Sequence, residues 1–388
     1  MSDNDFEERY GALRELIQKE IQGLPPEFAK ARIKQYLENI AELFISLPVE
    51  DLTQRFSEIF LGNAKPEITE KPENVETKRV QKAVVMTAKI PDKLFDTSQN
   101  SVFKNNTPVH VYVGPGQEKG KTAIKVNTIV TLNYDKLLEL VQIDNPQILL
   151  NPEAKVIHDA VISIYHAGNR YFDWSMIYQV KTAYRQEHPR ITQQEQQTQT
   201  ELLNRLITAR VTIDTSEEAQ YFGYSGGNEE NYLIPAKREE FYKNGRKISG
   251  FIFLDEPPLL KYCRLARQID AKDINLLALP DSQEQKINAS MQTLVIRDYL
   301  FERIVKMLNP KNHMENVIKL DTVFNYIGLE ATSRVKKMRI MQTIRALLNN
   351  WQAKRLITGF REITERSSGT ITKIEIILPE STAKKFKG

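Results

Sequence analysis

One order of elements occurs twice in this chain, and it restricts the fold more than any other feature. In the first copy, residues 152–165 place Ala154, Ile157, Ala160, Val161, Ile164 and Tyr165 on one face of a helix. Asn151 stands where an N-cap belongs, Pro152 at the first helical position, and Gly168 just beyond the end. A shorter helix is expected at 174–184 and a third at 192–208, with Leu202, Leu203, Leu206 and Ile207 near its end. A strand at 210–214 follows, then two strands at 232–236 and 247–254, the last after an Asn244-Gly245 turn. The second copy repeats the order. Helices at 290–308, 320–327 and 332–356 precede strands at 357–365 and 370–378, joined by Ser367-Ser368-Gly369.

Long helix, short helix, long helix, hairpin is the plan of the winged helix-turn-helix, in which the third helix enters the major groove and the hairpin lies beside it. The expected class is α+β, mostly helical, with tandem winged helix-turn-helix domains behind an N-terminal helical module. The expected bounds are 1–62 for that module, 63–104 for a charged linker, 105–280 and 281–380 for the two winged domains, and 381–388 for a basic tail. In 1–62, apolar residues recur at helical spacing, and Pro25-Pro26 and Pro48 divide them into three helices. Strands at 109–113 and 123–132 open the first winged domain.

Charge sharpens this plan. The formal net charge is only +4. Residues 1–80 hold 16 Asp/Glu against 11 Lys/Arg, whereas residues 331–388 hold 4 against 13. The cations concentrate where a reader of DNA needs them. The helix at 332–356 carries Arg334, Lys336, Lys337, Arg339 and Arg345 in its N-terminal half and Leu347, Leu348, Trp351 and Leu356 behind them. The wing adds Arg361 and Arg366 beside Thr364, Ser367 and Ser368, groups suited to phosphate oxygens. The competing reading is a solvated basic helix face.

The third helix of the first copy is Gln-rich instead. Gln193, Gln194 and Gln197 are candidates for adenine edges, with Arg190 beside them for phosphate; Gln is equally at home on a solvated helix face. Lys237, Arg238, Lys243, Arg246 and Lys247, with Tyr232 and Tyr242 between them, form a basic-aromatic cluster in the expected wing.

Motifs that suggest enzymes do not hold together. Residues 115–122 end like a phosphate-binding loop, but Pro115 occupies the first glycine's position, and a strand follows where a helix is required. Five histidines include no HxH or HxxxH pair, so a metal-dependent nicking site lacks its ligands. Asp255-Glu256-Pro257-Pro258 reads as a helix cap. One cysteine, Cys263, permits neither an internal disulfide nor a Cys-based zinc site. No apolar run approaches the ~18 residues of a membrane span, and the first ten residues do not read as a signal peptide. The expectation is a cytoplasmic, non-catalytic protein without cofactor or metal.

The runs from Leu149 to Val161, Ala167 to Phe172 and Ala209 to Asp214 resemble proteins of Gram-positive plasmids and conjugative elements. The duplicated plan is similar to tandem winged-helix replication initiators. The resemblance covers about residues 125–380. It implies origin binding on double-stranded DNA, a monomer–dimer equilibrium and recruitment of host replication proteins. The Gln-rich helix departs from the basic reader usual there. A transcriptional or partition regulator shares the same plan, and a protein-interaction scaffold is the alternative of a different class.

Overall fold

The computed structural model describes residues 17, 18, 21, 33, 78, 79, 83–86, 94, 95, 108–112, 126–134, 150–184, 189, 191–243, 246–266, 269–281, 286–309, 314–328, 334–365 and 369–379. Of the expected N-terminal module, Ile17, Gln18, Ile21 and Ile33 are described; all four are helical and the isoleucines are buried. The rest of that module, the loop at 115–122 and the tail lie outside the described residues.

Strands β1 (Ala83–Met86), β2 (Pro108–Tyr112) and β3 (Asn127–Tyr134) precede α1 (Pro152–His166), β4 (Tyr171–Phe172), α2 (Trp174–Lys181) and α3 (Gln193–Thr208). Next come β5 (Ala209–Asp214), α4 (Ser216–Phe222), β6 (Asn228–Tyr232) and the hairpin β7 (Ala236–Lys243) and β8 (Arg246–Phe253). α5 (Pro258–Leu265), β9 (Ile269–Lys272) and α6 (Ile274–Leu277) lead into the second unit. That unit is α7 (Met291–Leu308), β10 (Val317–Lys319), α8 (Leu320–Tyr326), α9 (Arg334–Ala353), β11 (Gly359–Thr364) and β12 (Ile371–Ile377). The architecture is mixed α+β, and about half of the described residues are helical.

Local chemistry starts α1 as the sequence foretells, and side-chain caps start α2, α3 and α7 as well. The Asn151 side chain accepts from the amide of Ala154 at 2.8 Å, and Asp173 accepts from Met176 at 2.9 Å. Thr192 caps α3 and Ser290 caps α7. The expected apolar face of α1 is buried, with only Tyr165 partly exposed.

The repeat extends to the sheets. In the first unit the order is β4-β8-β7, in the second β10-β12-β11. In each, a short strand after the first helix pairs antiparallel with the last strand of the hairpin: Phe172 with Phe251, Ile318 with Ile374. Two and three residues are too short for an alternation to be read, so neither β4 nor β10 is foreseeable from pattern. Packing fixes β4: the Phe172 ring lies 5.1 Å from Phe251 and 4.6 Å from Phe253.

The first unit departs from the expected order in one place. The strand expected at 210–214 is β5, but it joins the antiparallel sheet β2-β3-β5-β6 and not the hairpin. The strand expected at 232–236 is instead two elements: β6 ends at Tyr232 and β7 begins at Ala236. Leu233 and Ile234 look like strand residues because they are apolar. Their amides instead bond Ala209 O at 2.8 Å and Leu206 O at 3.2 Å, closing the C-terminus of α3. An insert of two strands and a helix therefore separates the third helix from its hairpin. Buried Glu218 of α4 anchors it, accepting from the Tyr262 hydroxyl at 2.9 Å and from the Thr128 hydroxyl.

The two units share an interface between α1 and α7. Val156 and Ala183 of the first unit, with Leu277 and Leu279, belong to the core of the second. Lys155 bonds Asp159 on its own helix at 2.8 Å and Glu302 of α7 at 2.9 Å. Arg297 of α7, 3% exposed, donates to the carbonyls of Lys181 at 2.9 Å and Leu277 at 3.1 Å. β1, inside the segment read as linker, pairs with β9, and Asn169 exchanges two hydrogen bonds with the backbone of Lys78.

Candidate nucleic-acid interface

α9 divides its faces sharply. Ile340, Met341, Ile344, Leu347, Leu348 and Trp351 are buried against the second unit. The Trp351 indole donates to Leu276 O at 2.8 Å, fixing the helix rotationally. With 3.6 residues per turn, the direction opposite this stripe falls on Val335, Met338, Arg339 and Gln342, and all four are exposed. Arg334 and Lys336, also exposed, flank that line. No Asp or Glu occurs anywhere in α9.

Two expected cations are turned elsewhere. Lys337 points toward α8, its ammonium 5.3 Å from the Phe324 ring centre. Arg345 reaches β11 and binds both oxygens of Glu362, at 2.6 and 3.0 Å, so its guanidinium braces the helix against the hairpin. Arg361 remains mostly exposed on β11, 3.7 Å from Glu375 of β12. Arg366, Ser367, Ser368 and the expected Ser/Thr caps of α9 lie outside the described residues.

The first unit presents a different surface. Gln193, Gln194 and Gln197 are exposed on α3, as the reading requires. Gln197, however, donates to Glu201 at 3.2 Å, and that exposed carboxylate stands in the middle of the outward face. Gln199 faces inward and donates to Glu195 at 3.3 Å. The buried ammonium of Lys181 binds Glu195 as well, joining α2 to α3. Burial pulls the Lys181 ammonium below its ordinary range, while Glu195 acts against that pull. Arg190 lies outside the described residues.

The expected basic-aromatic wing is only partly assembled. Tyr232 is not on the hairpin: it ends β6, where its hydroxyl accepts from Arg210 at 3.0 Å beneath that guanidinium. Lys237 pairs with Glu239 at 2.8 Å, and Arg238 donates to Ser249 at 3.2 Å. The side chains of Lys243, Arg246 and Lys247 lie outside the described residues.

Acidic residues expected to cap α5 do not do so. Pro257 is the N-cap, without a side-chain bond. Asp255 accepts from Asn231 at 3.0 Å, and Glu256 accepts from Arg264 at 2.7 Å. Among the described residues no group of three His, Cys, Asp or Glu side chains is placed to hold a metal ion. His158 is buried against Phe95, and Cys263 is buried and forms no disulfide. No helix among the described residues is long and apolar enough to cross a membrane.

Val335, Met338 and Gln342 were missed as site residues because attention to charge passes over them. The signal that finds them is phase: all three fall opposite the apolar stripe that Trp351 anchors. No protein-family model, no curated protein and no solved structure matches the chain.

Proposed function

We propose that the chain is a sequence-specific binder of double-stranded DNA, built from two winged helix-turn-helix modules and acting in replication initiation of a mobile element. The observation that carries the DNA reading is the outward face of α9. It is cationic, free of carboxylates along its whole length, and held in fixed rotation by the core behind it. The matching sheet orders of the two units support the winged reading, since in both the strand after the first helix completes the sheet of the hairpin that follows the third helix.

The modules have unequal roles in this reading. α9 and β11 supply most of the phosphate contact. α3 supplies amide groups for base edges and, because of Glu201, little net attraction to phosphate. The close packing of α1 on α7 sets the two modules at one fixed spacing, so that binding by one raises the local concentration of DNA at the other. The initiator role rests on the resemblance of the duplicated plan to plasmid initiators.

Titrating the full chain with duplex DNA across a salt series tests the DNA reading. Replacing Arg334 and Lys336 by Ala weakens binding to all sequences and lowers the salt slope by about one per lost phosphate contact. Unchanged affinity and slope overturn the assignment of α9. Selection of bound fragments from the host element separates the two roles: repeated sites in an AT-rich region mark an initiator, a single palindrome over a promoter a regulator.

A further inference from the structure

We propose that Val335 and Met338 read thymine, by contact with the C5-methyl groups of two neighbouring base pairs in the major groove. The inference rests on the DNA-binding reading above and names what α9 recognises. Val335 is 56% exposed and Met338 53%, the highest values among the exposed large apolar side chains of the described residues. Leaving two such side chains in water forgoes stabilisation that burial gives elsewhere in the fold. They stand three residues apart on one helix, so they lie on the same face. Their separation along the axis is about 4.5 Å at 1.5 Å per residue, comparable with the ~3.4 Å step between base pairs.

Their neighbours define the partner. Arg334, Lys336 and Arg339 surround the two apolar groups, and α9 bears no carboxylate. An apolar protein surface that docked here would take the guanidinium groups of Arg334 and Arg339 out of water and offer them no acceptor. The major groove of DNA offers phosphates at its edges and, on its floor, one apolar group, the thymine methyl. Arg339 and Gln342, on the same line, match guanine and adenine edges respectively.

The test uses the full chain, a duplex it selects from a random-sequence pool, and the same duplex synthesised with deoxyuridine in place of thymidine, which removes only the methyl groups. The selected duplex contains adjacent thymines, and each methyl removed at those positions weakens binding about fourfold. The Val335→Ala, Met338→Ala double variant loses this preference and binds the two duplexes alike. Both side chains are exposed, so its melting temperature matches that of the unaltered chain, and its salt slope is unchanged. Salt-dependent DNA binding with no preference for thymine over uracil, a preference kept by the double variant, or a selected duplex without adjacent thymines overturns this inference and leaves the DNA reading standing. Absence of salt-dependent affinity for any duplex overturns both.

Discussion

Glu302 sits between the ammonium groups of Lys155 and Lys272, at 2.9 and 3.0 Å, with its side chain 16% exposed. Burial pushes its carboxyl up, but the two lysines and Lys306 outweigh this and hold it well below the ordinary carboxylate range. Asp159 behaves alike: burial raises it, and Lys155 with His158 brings it below its usual value. A carboxyl depressed in the folded state contributes stability above its unfolded pKa, and the contribution disappears as pH falls through the folded value. The unfolded reference for Glu302 is about 4.5. Thermal melts from neutral pH downward therefore show stability falling below that pH. Glu302→Gln costs about 3 kcal/mol at neutral pH, because it leaves Lys155 and Lys272 short of a buried partner, and its acid limb is flatter than that of the unaltered chain. Equal acid limbs in the two proteins contradict this account of Glu302.

At the scale of elements, the hairpin of the first unit depends on one missing side chain. Gly250 of β8 lies where a Cβ would meet the Phe172 carbonyl oxygen at 2.5 Å and the Phe241 ring at 2.6 Å. Neither neighbour has room, since Phe172 is wholly buried on β4 and Phe241 is 3% exposed. Gly250→Ala is expected to lower stability by about 2 kcal/mol through overpacking, read from the urea midpoint. Gly227→Ala serves as control: its Cβ meets nothing within 4 Å, and its midpoint stays close to that of the unaltered chain. The same element-level view explains why charge counting ranked the α9 residues imperfectly. Lys337 and Arg345 belong to the same basic run as Arg334, Lys336 and Arg339. Partners on other elements, Phe324 and Glu362, take those two away from the exposed line.

Over the whole molecule, Arg297 is the side chain that joins the two units most directly. Its buried guanidinium closes the carbonyl end of α2 through Lys181 O, holds the connecting segment through Leu277 O, and pairs with Asp298 at 2.7 Å. Arg297→Met keeps the length of the side chain and removes every donor. Two buried carbonyls lose their charged partner, at a cost of about 2 kcal/mol or more. Because those bonds span the interface, calorimetry of the variant shows the single transition of the unaltered chain broadening into two as the units come apart. A single sharp transition at a lower temperature would mean that Arg297 stabilises one unit and does not couple them. On the DNA-binding reading proposed above, affinity for duplex DNA falls in the same variant, because α3 and α9 are no longer held at one spacing.

The cap at Asn151 and the apolar stripes of the long helices were legible from sequence alone, because Asn151 acts on an amide three residues on and the periodicity of α1, α3, α7 and α9 needs no distant partner. The duplicated order was legible for the same reason. So was the concentration of cations on α9. What tertiary structure alone decided were features made by residues far apart in the chain. β4 and β10 exist only because a hairpin strand comes to pair with them, and Leu233-Ile234 leaves the strand state because the end of α3 lies nearby. The membership of the candidate site was decided in the same way. Local sequence gives every cation in a basic helix the same standing, and only packing against α8 and β11 determines which of them faces outward beside Val335 and Met338.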